Sequence, residues 1–173
     1  MRLAARPLDP ASRLAIRLRP WAASAFWLPV CVYYAAHRGE YGVIDHGDLV
    51  IHEAGHFVFR FFGFWMHAAG GTLMQLLLPS LLAFHFARHS YRLGAQAGLF
   101  WLGHNALNIS VYAADARLRR LPLLGGDAVF HDWATMLGAA GLLEYDQWIG
   151  YGFVLAGWAA FALAVLLPRW MRA

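Results

Sequence analysis

The chain contains very little cysteine and very little charge. Cys31 is the only cysteine among 173 residues, which excludes an intramolecular disulfide and any zinc site built from several cysteines. Charged residues make up 14% of the chain, against about 25% in soluble proteins. Hydrophobic residues make up 60%, and several apolar stretches approach the length of a bilayer span. This composition indicates an integral membrane protein rather than a soluble globule.

Lysine is absent, and all fourteen basic residues are arginines. The net charge of +4 is compatible with nucleic-acid binding, but no stretch combines a basic cluster with an accessible aromatic surface. The arginines lie mostly at the ends of apolar runs, a placement typical of membrane anchoring and orientation. We therefore expect the bilayer as a partner and no nucleic acid.

The apolar runs predict an all-α fold: a polytopic membrane bundle of four to five apolar helices plus a short interfacial or re-entrant helix. The five arginines within residues 1–20 predict a basic cytoplasmic arm, as in a bacterial inner membrane protein, although an organellar presequence is also rich in arginine. Residues 21–173 are expected to form a single membrane-embedded helical domain. The expected helices cover residues 21–36, 49–65, 73–87, 93–114, 132–143 and 148–167.

The most informative pattern is His-Glu-x-x-His, formed by His52, Glu53 and His56 inside an apolar run. Residues four apart lie on one face of a helix, so both imidazoles can bind one metal ion. Glu53 follows His52 by about 100° of helical turn, close enough to hold a metal-bound water without being a ligand. This arrangement is typical of zinc hydrolases. The alternative is a helix with two incidental histidines, which apolar surroundings disfavour.

A catalytic zinc ion needs a third protein ligand and one open position. His131 and Asp115 are the leading candidates, and His104 is a further possibility. Asp127 or Asp132 is expected to hydrogen-bond the second ring nitrogen of His131. The structural alternatives are an N-cap role for Asp132 and an ion pair between Asp115 and a neighbouring arginine.

Three polar residues lie near the middle of the fourth apolar stretch: His104, Asn105 and Asn108. Polar side chains in membrane spans are expensive, so they normally face the interior of a bundle. They are candidates for stabilising a substrate oxyanion, and hydrogen bonding between helices is the alternative.

Four glycines follow or interrupt the histidine pattern. Gly55 and Gly63 offer no side-chain chemistry and would let a neighbouring helix approach closely. Gly70 and Gly71 are expected to end the helix, and the backbone groups freed there could align an extended peptide.

The sequence His-Glu-Ala-Gly-His at residues 52–56, followed by two glycines at residues 70–71, resembles the site-2-protease type of intramembrane zinc metallopeptidase. The resemblance covers about residues 49–79. It implies two zinc-binding histidines and a glutamate general base within residues 52–56. It also implies a third ligand, an aspartate in a later membrane segment.

In that family the aspartate belongs to an Asp-Gly motif in a segment that contains Asn-Pro. The corresponding residues here are Asn108 and Asp115, with no proline between them and Ala116 in the position of the glycine. The chain therefore departs from the family pattern at its third ligand.

These observations predict a membrane-embedded hydrolase with Zn²⁺ as cofactor, most simply a metallopeptidase that uses metal-activated water with Glu53 as general base. Its substrate would be a membrane protein or peptide that exposes an extended backbone. A membrane lipid-amide or ester hydrolase would use the same zinc site, and a non-catalytic membrane scaffold would bind no metal. An iron-dependent oxidase usually needs more histidines clustered at short spacings.

Overall fold

The structure is a computed structural model that describes residues 9–123 and 130–171. Within these ranges the regular elements are helical and no strand occurs, which confirms the all-α prediction. The helices are α1 (Pro10–Leu18), α2 (Ala22–Ala36), α3 (Val43–Phe59), α4 (Phe64–Arg88), α5 (Arg92–Ala114), α6 (Asp132–Ala140) and α7 (Asp146–Leu166).

Two helical segments in the described ranges are long and apolar enough to cross a membrane. They are Phe64–Arg88, with 25 residues, and Leu143–Arg169, with 27 residues, which joins α7 to the 3₁₀ turns at its two ends. A span needs about 20 residues, so the 15 residues of α2 are short for one. Length and composition alone thus select two candidate spans.

Helix α5 packs against α7, α4 and α2, and α3 lies against α4. The apolar core joins Phe100 and Leu107 of α5 to Phe161 of α7 and Cys31 of α2. The rings of Phe100 and Phe161 stack with their centroids 5.7 Å apart. Helix α5 is therefore central, and its polar residues face other helices.

Polar side chains lie inside this fold and apolar ones cover much of its surface. The largest side chains that are almost completely buried include Gln96, Asn105, Asp48 and Asp146. Exposed large apolar residues on α2, α4 and α7 include Phe26, Leu28, Leu81, Phe84, Leu155 and Trp158. Soluble monomers rarely expose apolar surface on this scale, so these faces are suited to contact an apolar partner.

Two helix boundaries near the histidine pattern differ from the predictions. Helix α4 runs without a break through Gly70 and Gly71, so the expectation that they end a helix is wrong. The break lies at Gly63, whose φ of +91° favours glycine. Helix α3 begins at Val43, so the acidic residues after it belong to the helix and not to a connector. The Asp45 carboxylate accepts the N–H of Gly42 at 2.7 Å and so caps this helix.

Candidate metal centre

Helix α3 carries one buried polar face. Asp45, Asp48, His52 and Gly55 are buried, and their spacing of three or four residues places them along one side of the helix. Gly55 lies against the backbone of Gly70, since a Cβ at Gly55 would overlap the Gly70 carbonyl group. The close approach of α3 and α4 therefore determines what surrounds the histidines.

The Nε2 atoms of His52 and His56 converge on one carboxylate oxygen. Oδ2 of Asp132 lies 2.9 Å from Nε2 of His52 and 3.2 Å from Nε2 of His56. Tetrahedral zinc with bonds of about 2.0 Å holds its ligand atoms about 3.3 Å apart. The two nitrogen–oxygen distances are close to this value, and all three ligand atoms lie within 4.8 Å of one another, so they can share one ion.

The other ring nitrogen of each histidine faces an oxygen atom on α4. Nδ1 of His56 lies 2.7 Å from the carbonyl oxygen of His67, and Nδ1 of His52 lies 2.8 Å from Oε1 of Gln75. An oxygen of this kind only accepts hydrogen bonds, so each Nδ1 donates and carries the proton. Each Nε2 can then offer its lone pair, as metal-binding imidazoles require. The donor set therefore fits a metal ion.

Gly71 makes room for the ring of His52. A Cβ at this position would overlap the imidazole. The glycine pair predicted to break the helix thus has a different role. Gly70 lets α3 approach closely, and Gly71 leaves room for the His52 ring.

Asp132 is held by Tyr112 as well as by the histidines. The Tyr112 hydroxyl accepts the backbone N–H of Asp132 at 3.1 Å and donates to its Oδ2 at 3.3 Å. Burial opposes ionisation of this carboxyl, but the neighbouring imidazoles of His52 and His56 outweigh burial and lower the pKa of Asp132 to about 2. The third donor is therefore an anion at neutral pH.

Glu53 opens onto a cavity of about 800 Å³, whose lining also includes His52, His56, Tyr112 and Asp132. The side chain of Glu53 is exposed, and it is not one of the three converging donors. A carboxylate beside a metal site in an open cavity can accept a proton from a water molecule held there.

Neither of the leading sequence candidates for the third ligand belongs to the group formed by the two imidazoles and Asp132. His131 is the N-cap of α6, where its Nδ1 accepts the N–H of Ala134 at 3.2 Å. Its Nε2 lies 3.5 Å from Oδ2 of Asp115. Burial lowers the pKa of His131 and favours the neutral ring, whose single proton is then on Nε2. His131 therefore lacks a free lone pair for a metal.

Asp115 accepts the backbone N–H groups of Arg120 and Leu121, at 3.0 and 2.9 Å. It stabilises the loop after α5 and lies near His131 rather than near His52 and His56. The sequence predicts that Asp132 hydrogen-bonds His131. In the structure Asp132 lies instead against His52 and His56, where a third metal ligand is expected. Asp127 lies outside the described residues.

The three polar residues of α5 face carboxylates of α3. Nδ1 of His104 lies 2.8 Å from Oδ2 of Asp48, and Asn105 donates to Oδ1 of Asp48 at 3.2 Å. Asn108 donates to Oδ1 of Asp45 at 2.9 Å. His104 and Asn108 line the cavity as well as contacting α3, and Asn105 also donates to the carbonyl oxygen of Trp101 at 3.0 Å. These contacts fit the predicted hydrogen bonding between helices, and the oxyanion role stays a prediction.

Asp45, Asp48 and His104 form a second group whose ligand-type atoms lie within 4.8 Å of one another. Both oxygens of Asp48 are occupied: Oδ2 faces His104, and Oδ1 accepts from Trp101 at 2.6 Å and from Asn105. This group is satisfied by the protein itself and does not resemble a vacant coordination site.

Sequence reasoning missed two residues of the centre, Tyr112 and Gln75. Tyr112 continues the face of His104 and Asn108 at intervals of four residues, a signal that could have found it. Gln75 is a lone amide in an apolar run, and such a residue needs a hydrogen-bond partner.

The chain was also compared with known proteins. No family model matches it, and neither a curated protein nor a solved structure matches it. The similarity to the site-2-protease type therefore rests on the residues alone, and the function has to be argued from the centre itself.

Proposed function

We propose that this protein is a membrane-embedded zinc-dependent hydrolase, most simply a metallopeptidase. The proposal rests on the convergence of His52, His56 and Asp132, with Glu53 beside them in an open cavity. Two imidazoles and one carboxylate with an open fourth position are the donor set of catalytic rather than structural zinc. The same donors also bind iron, but the adjacent glutamate favours hydrolytic chemistry.

Each residue of the centre has a distinct part in this reaction. Bound zinc supplies acidification of a water molecule and polarisation of the scissile carbonyl. Glu53 accepts the proton of the attacking water and delivers it to the leaving amine. Asp132 contributes negative charge to the ligand set. Gln75 and the carbonyl of His67 keep both imidazoles in the orientation that binds metal.

We also propose that residues 21–173 form one membrane-embedded bundle of four to five apolar helices, with residues 1–20 on the cytoplasmic side of a bacterial inner membrane. Two helices long enough to span a bilayer, exposed apolar surfaces on several helices and buried polar side chains support the bundle. The arginines of the arm support the orientation.

The cavity is large enough to hold part of a peptide. Its volume of about 800 Å³ lies within the range of about 300–1,000 Å³ that is usual for ligand sites. A peptide in helical form keeps its amides hydrogen-bonded and shielded, so a protein substrate must unwind locally before Glu53 can act.

Metal analysis of the full-length protein purified in detergent tests the centre. We expect about one zinc ion per chain in the wild type, and none in the His52→Ala, His56→Ala and Asp132→Ala variants. His46→Ala is the matched control, because His46 lies on the same helix, is exposed, and among the described residues contacts the carbonyl oxygen of Gly42 and the ring of Tyr41 rather than the centre. Its zinc content should equal that of the wild type.

Hydrolysis is tested with Glu53→Gln, which should keep zinc and lose cleavage of membrane peptides measured by mass spectrometry. Wild-type protein that binds no metal would instead indicate the scaffold, and stoichiometric iron would indicate oxidative chemistry. Zinc together with cleavage of lipid amides or esters, but not of peptides, would assign the lipid hydrolase.

A further inference from the structure

A chain of hydrogen bonds leads from the metal-binding His52 to a distant carboxylate. Nδ1 of His52 lies 2.8 Å from Oε1 of Gln75, and Nε2 of Gln75 donates to Oδ1 of Asn108 at 3.2 Å. Nδ2 of Asn108 donates to Oδ1 of Asp45 at 2.9 Å. Three helices contribute to this relay, which joins α4, α5 and both ends of the polar face of α3.

The direction of the relay is set at its carboxylate end. Ionised Asp45 can only accept hydrogen bonds, so Asn108 must present its amide nitrogen to it. The oxygen of Asn108 then faces Gln75, so Gln75 must donate a hydrogen bond from its amide nitrogen. Gln75 is left with its oxygen towards His52, whose Nδ1 must therefore donate. Each step has one outcome because each amide has one donor end and one acceptor end.

We propose that Asp45 is a positioning residue that determines, through two amides, which ring nitrogen of His52 carries the proton. The inference that this controls metal binding rests on the zinc-dependent function proposed above. A proton held on Nδ1 leaves the Nε2 lone pair free towards the metal position, and a carboxylate at the far end polarises the whole chain. Asp45 thus acts on a ligand that it does not touch.

The surroundings of Asp45 support this role. Its Oδ2 accepts the backbone N–H of Gly42 at 2.7 Å, and its Oδ1 lies 3.7 Å from Nε2 of His104. The N–H of Gly42 fixes Oδ2, which leaves Oδ1 for the amide of Asn108. Asp45 is 6% exposed, so its carboxylate relies mainly on these protein partners.

The first test replaces Asp45 with asparagine. The N–H of Gly42 is fixed in the backbone and keeps the side-chain oxygen, so the new amide nitrogen turns towards Asn108. Asn108 and Gln75 then both flip, and Gln75 presents its nitrogen to Nδ1 of His52, which becomes an acceptor. We expect zinc affinity, measured by competition with a chromophoric chelator, to fall by about tenfold to a hundredfold in Asp45→Asn.

The second test moves the carboxylate to the other end of the relay. In the double variant Asp45→Asn/Gln75→Glu, one Glu oxygen accepts from Nδ1 of His52 and the other accepts from the Asn108 amide. The oxygen of Asn108 accepts from the new amide at position 45, which still accepts the N–H of Gly42. All bonds are kept, so zinc affinity should return to near the wild-type value. A residue that served only to cap α3 would not be rescued from this distant position.

Asp48→Asn is the matched control. It makes the same substitution on the same helix at a more deeply buried carboxylate that bonds to His104, Trp101 and Asn105 and not to the relay. Zinc affinity should stay near the wild-type value even where thermal stability falls.

Nitrogen-15 NMR of the metal-free protein gives a readout that requires neither zinc nor activity. His52 Nδ1 should carry a proton in the wild type, in Asp48→Asn and in the double variant, and should lack one in Asp45→Asn. An unchanged Nδ1 signal in Asp45→Asn, or a double variant that behaves like the single one, overturns the proposal. Wild-type protein that binds no zinc refutes the proposed function, while the NMR comparison still decides the relay.

Discussion

Gly55 of α3 and Gly70 of α4 meet backbone to backbone. A Cβ at Gly70 would lie 2.6 Å from the carbonyl oxygen of Gly55, and a Cβ at Gly55 would overlap the Gly70 carbonyl. Both oxygens that orient the rings of His52 and His56, on His67 and Gln75, also belong to α4. The distance between these two helices therefore determines whether the imidazoles keep their partners.

Gly55→Ala should separate the two helices and weaken the centre. The added methyl group meets a carbonyl that cannot move without shifting the helix, and overpacking of this kind costs about 1–3 kcal/mol. We expect lower thermal stability in detergent and weaker zinc binding by chelator competition. Gly47→Ala is the control, because nothing lies within 4 Å of its added Cβ and alanine favours the helix. Equal stability of the two variants would contradict the close contact.

Gly71→Ala should remove zinc binding while the helices remain. Its methyl group would occupy the space of the His52 ring, so the ring must turn away from Asp132. Alanine is a better helix former than glycine, so circular dichroism should show no loss of helix. Gly138→Ala on α6, with nothing within 4 Å of its Cβ, should bind zinc like the wild type. Zinc bound normally by Gly71→Ala would show that the ring does not need this space.

The spacing of His52 and His56 was sufficient to place both rings on one helix face, because helical geometry is local. Asp132 follows His52 by 80 residues, so its position depends on how α6 docks. The sequence named His131 as a candidate ligand and Asp132 as its supporting residue, whereas the structure places Asp132 against the two histidines and makes His131 the N-cap of α6. An N-cap side chain turns back onto its own helix, as His131 does, and the next residue is free to face α3.

Because Asp132 and not Asp115 faces His52 and His56, substitutions of these two aspartates should affect zinc affinity differently. Asp132→Asn removes the anionic donor, and zinc affinity should fall by more than the roughly tenfold to hundredfold typical of losing a supporting hydrogen bond. Asp115→Asn disturbs the hydrogen bonds from Arg120 and Leu121 and the contact with His131, so zinc affinity should stay close to that of the wild type. Isothermal titration with zinc compares them. A larger loss of zinc affinity in Asp115→Asn than in Asp132→Asn would make Asp115 the third ligand, as the family resemblance implies.

The helical class followed from composition, but the extent of α3 did not. Asp45 and Asp48 precede the apolar run beside Gly42 and Gly47, and this mixture is typical of a connector. These carboxylates are nevertheless buried, because Asn108 and His104 of α5 supply their partners. A single sequence shows both sets of polar residues, but their pairing arises only when α3 and α5 come together.

Tyr112→Phe tests the hydroxyl that bridges two atoms of Asp132. Its removal leaves the buried backbone N–H of Asp132 without its acceptor, at a cost of about 1–3 kcal/mol, and frees the carboxylate to rotate. We expect lower thermal stability and a severalfold weaker zinc affinity. Tyr34→Phe is the control, since Tyr34 lines the same cavity but its hydroxyl bonds to none of the described residues. If both variants bind zinc like the wild type, Asp132 is held in place by the histidines alone.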